Sequence, residues 1–461
     1  MPDLEHRLTA DERLVFVHIP KTAGLTFRAL LAKHFDVRQS YPRPDEWWWP
    51  HLGTSEELSR YRLFNGHYVY SIGEAVRNAV FVTMLRHPVD RLVSTYHYVA
   101  RTPNAFQHDY VVSRALSLDE FLSDPVTVHA QANWAAGFVA SIPAAQLKTH
   151  QQKMGHSEAW ASGDSLFPNL GASVAAERLE SFAMFGLCER FQDSAFMLDF
   201  VFGWKPATNY QSFNVAATGN RRADLAPRLV DAVLEANSVD VAMYERASAL
   251  FEERFHRMCE LLLERFGAAS HAHMKQPLPP EVMVELLEKH YQQRCIESSP
   301  EPRGSFVWDV AGPVEGSGWH SAEAVGPGRH GRWTGPGTVS TLDLRLAPDH
   351  DYTVEFELIY AAARAHYRGV ELYANGTKIS LRHAVAIPGR PRRYRGVIPR
   401  RVVGERVGNF VTLEWRVAKT IDAQSIAPNR EDARRVGVMF GGLRVTPRRA
   451  RKGAGSERTS A

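Results

Sequence analysis

The chain has 461 residues, 44% of them hydrophobic, and a formal net charge of +4. That length supports two or three domains with cores of their own, and so small a charge suits anionic ligands without indicating nucleic acid. The three cysteines, Cys188, Cys259 and Cys295, are odd in number and widely spaced, with no CxxC pair, which argues against a thiolate zinc site and for reduced thiols. The N-terminal residues are polar, and no apolar run approaches the roughly 18 residues of a spanning helix. A soluble, cytoplasmic protein is expected.

Residues 14–270 alternate between strand and helix patterns. "LVFVHI" (14–19) is a short continuous apolar run, as in a buried parallel strand. Gly24 to Phe35 places Phe27, Leu30, Leu31 and Phe35 on one helical face. "AVFVTML" (79–85) is a second buried strand, leading into "RHPVDRLVSTYHYVAR", where Pro88 suits a first helical turn. "FAMFGL" (182–187) is a third, followed by helical "ERFQDSAFMLDFVFGW"; 228–266 and 279–295 read as further helices. Such alternation predicts an α/β domain with a parallel sheet.

Gly and Pro become frequent after about residue 305, and helical periodicity fades. "VELYANGTKISL" is two β-runs joined by Asn375-Gly376, a two-residue hairpin signal. "VTLEWRV" puts Val411, Leu413, Trp415 and Val417 on one face, and roughly seven or eight short strands suggest a β-sandwich. The expected organisation is an α/β domain at 1–270, a helical linker at 271–304, a sandwich at 305–448 and a disordered basic tail at 449–461. Trp319 and Trp333 read as exposed aromatics. Seven arginines fall between Arg390 and Arg406 and read mainly as a solvated surface.

The chemistry concentrates where the first strand meets the first helix, at "HIPKTAGLTF" (18–27). A loop that leaves a parallel strand and opens a helix aims backbone N–H groups at one point, where the helix dipole adds partial positive charge. Gly24 permits close backbone approach, Lys21 supplies a mobile charge, and Thr22 and Thr26 supply hydroxyls. These are the parts of a phosphate or sulfate site. The Walker A order GxxxxGK[ST] is absent.

This loop closely resembles the 5′-phosphosulfate loop of sulfotransferases that use 3′-phosphoadenosine 5′-phosphosulfate (PAPS). The nearest subgroup is the carbohydrate family that includes heparan sulfate 2-O-sulfotransferase, here with a bacterial-type C-terminal accessory module. That family carries a second signature on the next strand–helix unit, an arginine at the strand end and a serine eight residues later, matched by Arg86 and Ser94 in "LRHPVDRLVSTYHY". The resemblance covers about residues 12–260. It implies a P-loop-like parallel sheet flanked by helices, PAPS as co-substrate with no metal, and a glycan acceptor. The donor site would comprise Lys21, Thr22, Ala23, Gly24, Leu25, Thr26, Arg86 and Ser94, with Lys21 also stabilising the leaving phosphate. A Gly-His pair lies between the two nucleotide motifs in that family, and its histidine is the general base. His67 in "YRLFNGHYVY" matches it, while the second histidine of the heparan enzyme is Asn65 here.

Further segments resemble parts of these enzymes more loosely. "QANWAAGF" (131–138) suggests acceptor contacts from Asn133 and Trp134, and Arg221 and Arg222 end a segment that resembles a loop closing over the nucleotide. Trp47–Trp49 could line a sugar site or plug a domain joint, the joint being favoured slightly. The accessory module is read as glycan-binding, structural or oligomerising. A homo-oligomer and a peripheral place at the inner membrane stay open. So do two other classes, a small-molecule kinase with a divergent phosphate loop and a non-catalytic glycan-binding protein.

Overall fold

The computed structural model describes residues 4–42, 53–103, 105–140, 171–208, 222–271, 274, 276–383, 390–427 and 432–448. Trp47–Trp49, Arg221 and the 449–461 tail lie outside the described residues. The chain divides into two compact units, Met1–Arg294 and Cys295–Ala461. No helix among the described residues is long and apolar enough to cross a membrane.

The N-terminal unit is built on four parallel strands: β1 (Arg13–Val17), β2 (Leu63–Gly66), β3 (Ala79–Leu85) and β4 (Met184–Leu187), in the order β2-β1-β3-β4. The strands share one core with the helices α1 (Gly24–Ala32), α3 (Trp134–Ala140), α4 (Phe191–Phe202) and α5 (Ser238–Phe266), while α2 (Pro88–Arg101) packs Val89, Leu92 and Val93 into a second cluster with Phe121 and Val233. β3 has the predicted limits. β1 begins one residue early and stops at Val17, so His18 and Ile19 belong to the loop and not to the strand. From β1 the chain runs outward to β2, then returns to lay β3 on the other side of β1. The strand order therefore reverses between β1 and β3, and the crevice at their carboxyl ends is the place where such sheets bind ligands.

The helix predicted over 228–266 is two helices, Pro227–Ala236 and α5, parted at Asn237. Side chains compensate the break. Asn133 accepts the Val239 and Asp240 N–H groups at 3.1 Å each, and its own N–H reaches Asn237 Oδ1. Asp240 in turn accepts the Ala135 and Ala136 N–H groups at 3.2 and 2.7 Å. Two helix N-termini thus cap each other. Asp240 also faces Arg91, 3.9 Å away, both being essentially inaccessible to solvent, and Arg91 donates to the Gln131 carbonyl.

The C-terminal unit is antiparallel. One sheet has β11 (Thr377–Ile379), β10 (Glu371–Ala374), β14 (Phe410–Arg416) and β8 (Val339–Arg345). The other runs β12 (Arg382–His383), β13 (Arg392–Ile398), β9 (Tyr352–Ala361), β17 (Val438–Pro447), β7 (Arg329–Thr334) and β6 (Trp319–Gly326), with β5 (Phe306–Trp308) paired to β17. A small pair, β15 (Ile421–Asp422) and β16 (Arg435–Val436), completes it. Leu413 and Trp415 from the first sheet and Phe356 and Phe440 from the second share one core, which makes the sandwich. Asn375 and Gly376 both have positive φ, 46° and 79°, as the predicted tight hairpin requires.

Two expectations for this unit are corrected. Trp319 is not an exposed aromatic: it packs against the core beside Trp308, Trp415 and Phe440, with its indole N–H on the Thr341 carbonyl. Trp333 is half-buried and donates to Glu323 at 2.8 Å. Within the arginine cluster, Arg393 and Arg395 face Glu357 and Glu355 across the ladder, so two of its seven charges are paired on the sheet surface.

Removing the Asp240 carboxylate should strand the Arg91 charge and two helix N–H groups in the interior. Asp240→Ala is expected to lower unfolding free energy by about 3–5 kcal/mol, and Asp240→Asn, which keeps an acceptor, by less. Urea denaturation of both variants checks this.

Candidate active site

The loop after β1 is held in a conformation that side chains disfavour. Lys21 and Ala23 both have positive φ, 68° and 63°, a region non-glycine residues enter at a cost that functional sites sustain. Thr22 is buried, and its hydroxyl donates to the Ile19 carbonyl at 2.8 Å. That hydroxyl closes the turn, in contrast to its expected part as a donor to ligand. Ala23 is the residue preceding α1, with no side-chain cap on the helix. The loop therefore delivers an uncapped helix N-terminus to the crevice. Thr26 is buried in the first turn and Leu25 is exposed.

Gly24 has a steric reason. A Cβ there would lie 1.9 Å from His18 Nε2. The His18 ring is pressed against the glycine and stacks on Phe16 on one side and His67 on the other, with centroids 5.2 and 4.1 Å apart and planes within 15°. Burial, above all, pushes His18 well below the ordinary imidazole range, and the charges of His67, Arg28 and Lys21 act in the same direction.

β3 runs two residues past the end of β1. Val17 pairs with Thr83, and the Thr83 hydroxyl donates to the Val17 carbonyl at 2.7 Å. Arg86, three residues on, therefore reaches the loop, and its guanidinium donates to the Lys21 carbonyl at 3.2 Å. The Lys21 ammonium lies over the Tyr98 ring, 4.1 Å from its centroid. Tyr98 is one turn beyond Ser94 on α2, so the half-buried Ser94 lies on the same helix face. Burial pushes Lys21 down to about 8, helped by the positive charges of Arg101 and Arg86. A lysine held down by burial and by neighbouring cations is one that an anion relieves.

His67 follows β2 directly and forms a bridge to Val17. Its Nδ1 lies 2.8 Å from the His18 carbonyl. A carbonyl can only accept, so Nδ1 carries the proton and Nε2 is the basic nitrogen. Asn65 has a different partner, donating to the Arg28 carbonyl at 3.0 Å, away from the role of a second histidine.

The structure thus brings Lys21, Gly24, Arg86, Ser94 and His67 to the carboxyl ends of β1, β2 and β3. It does not bring Asn133 and Trp134 there as acceptor contacts. Trp134 is 3% exposed, with its indole N–H on the Ala130 carbonyl and its ring against Phe106 and Phe138. Asn133 caps α5. Arg222 lies 3.9 Å from Asp90 in the first turn of α2. His87 is positional, its N–H donating to Glu189 and its ring meeting Tyr244 edge-on. Tyr98 and Arg101 escaped the sequence reading, although they follow Ser94 at four and seven residues, the helical spacing that would have flagged them.

Comparison with known proteins agrees with this geometry. The sulfotransferase family model matches residues 5–131, a span that contains Lys21, His67, Arg86 and Ser94. Heparan-sulfate 6-O-sulfotransferase 3 from Mus musculus and from Homo sapiens are each 23% identical over 295 residues, covering 55% of this chain and 60% of theirs. The chain thus spans less than two thirds of the length of these relatives, and they carry the 6-O name where the motifs resemble the 2-O enzyme. The N-terminal unit is therefore similar to sulfotransferases over the matched span, which holds both strand–helix motifs in the expected order.

Proposed function

We propose that the protein transfers a sulfuryl group from PAPS to a hydroxyl of a carbohydrate acceptor. The observation that carries this reading is the convergence of Lys21, Arg86 and Arg101 on the crevice between β1 and β3, with His67 at the same edge and its Nδ1 on the His18 carbonyl. The chemistry of the residues fits the donor. Two helix N-termini and a planar guanidinium suit phosphate groups, and Ser94 adds a hydroxyl on the α2 face.

When bound, the donor supplies the sulfuryl group: the acceptor oxygen–sulfur bond forms as the bond from sulfur to the bridging oxygen breaks, and adenosine 3′,5′-bisphosphate leaves. His67 Nε2 takes the acceptor hydroxyl proton, while Nδ1–H stays on the His18 carbonyl. Lys21 balances the charge that grows on the leaving phosphate, a role that its mobility and partial desolvation favour. Arg86 and Ser94 hold the 3′-phosphate end. The reading assigns no chemistry to the C-terminal unit.

His67→Ala is expected to lower kcat by about 10²–10⁴-fold while leaving the Kd for adenosine 3′,5′-bisphosphate within about twofold. A variant that keeps its turnover would refute the assignment of the base. Steady-state transfer assays paired with calorimetry make the distinction.

Lys21 gives a pH signature. An anion favours its protonated form, so affinity is fully developed below about 8 and declines as pH rises through that value, by up to about tenfold per unit. Calorimetric titration with adenosine 3′,5′-bisphosphate above neutrality should show this for the native protein. Lys21→Arg should flatten the profile and reduce kcat, because a fixed fork replaces a mobile point charge.

A further inference from the structure

His18 is a polar ring in an apolar place, and the mechanism above uses only its backbone carbonyl. The side chain is 4% exposed, and Nδ1 has no hydrogen-bond partner. Burying an unpaired ring nitrogen costs free energy that an aliphatic side chain would not incur. The surroundings clamp the ring from three sides: Phe16 on one face, His67 on the other, and Gly24 at its edge.

The same residue therefore grips His67 twice. Its carbonyl holds Nδ1–H at 2.8 Å, which fixes the tautomer, and its ring lies 4.1 Å from the His67 ring with 15° between planes, which fixes the direction in which Nε2 points. The carbonyl cannot stray either, because the His18 N–H donates to the Gly66 carbonyl at 3.0 Å, tying His18 to the residue before His67. A carbonyl alone would let the imidazole swing about the Nδ1–O axis. The stack removes that freedom. Besides His67, the charged groups that act on His18 are Arg28 on α1 and Lys21 on the loop.

We propose that the side chain of His18 is a positioning residue for His67: its stacked ring sets the plane of the base, and Gly24 is glycine in part to leave room for that ring. This rests on His67 being the base. It extends the site from the loop motif to the strand end that precedes it and explains why an unpaired polar ring is retained in the interior.

The test separates orientation from chemistry. In full-length His18→Ala, the carbonyl remains but the stack is gone. Turnover should fall by about 10–100-fold, since small misplacements of a catalytic group carry penalties of that order. The Kd for adenosine 3′,5′-bisphosphate should stay within about twofold, which also shows that the variant is folded. ¹⁵N NMR of the His67 ring should keep the Nδ1–H tautomer in His18→Ala, held by the retained carbonyl, while relaxation shows the ring to be mobile. His18→Phe, which restores a flat ring between Phe16 and His67, should recover both the rigid ring and most of the turnover. His18→Ala with native turnover and an unchanged His67 ring mobility would overturn the proposal, as would His18→Phe failing alongside His18→Ala while the His67 ring stays rigid in both. The NMR readout needs no turnover, so failure of the general-base assignment, read from His67→Ala, is distinguishable from failure of this one.

Discussion

The site depends on the parallel pairing of β1 with β3. Val17 stands opposite Thr83, sealed by the Thr83 hydroxyl on the Val17 carbonyl, and β3 runs only two residues further, so Arg86 follows beside the loop that leaves β1. Shifting the register would carry Arg86 away from the Lys21 carbonyl and α2 away from the loop. The strand order, with β2 outside β1, then sets His67 at the same edge. Three chain segments far apart in sequence deliver a cation, a guanidinium and an imidazole to one crevice.

The loop between β1 and α1 takes up the strain this requires. Two non-glycine residues sit at positive φ, and Thr22 spends its hydroxyl holding the turn. In return Lys21 projects over Tyr98, where burial and neighbouring cations bring it down to about 8. A lysine so placed stays protonated near neutrality yet is poorly solvated, which makes an incoming anion its best available partner. The buried Arg91–Asp240 pair and the mutual capping of α3 and α5 hold the wall behind α2, so the helix that carries Ser94 and Tyr98 has a rigid backing.

Much of this was legible in the sequence because the signals are local. An apolar run, a glycine and a helix-starting proline report strand ends and helix starts, and the spacing of Lys21, Arg86 and Ser94 carries the motif. What escaped depends on contacts between distant segments. His18 reads as the penultimate residue of a strand, and only the fold shows that its carbonyl and ring meet His67. The break at Asn237 hides inside a continuous helical pattern, because the caps that compensate it come from Asn133, over a hundred residues earlier. Trp134 reads as an acceptor contact and Trp319 as an exposed aromatic because composition does not report burial; each indole finds a backbone carbonyl and packs inward. Tyr98 and Arg101 were visible in principle, at helical spacing from Ser94.

The most direct measurement follows the sulfuryl group itself. The full-length protein is incubated with PAPS labelled in the sulfuryl sulfur and a panel of oligosaccharides, with EDTA present, and both the labelled glycan and adenosine 3′,5′-bisphosphate are quantified. The account predicts label on a carbohydrate hydroxyl in equal amount to the bisphosphate released, and neither product from Lys21→Ala. Binding of the bisphosphate with no transfer to any acceptor bearing a hydroxyl, or transfer that persists undiminished without Lys21, would contradict it.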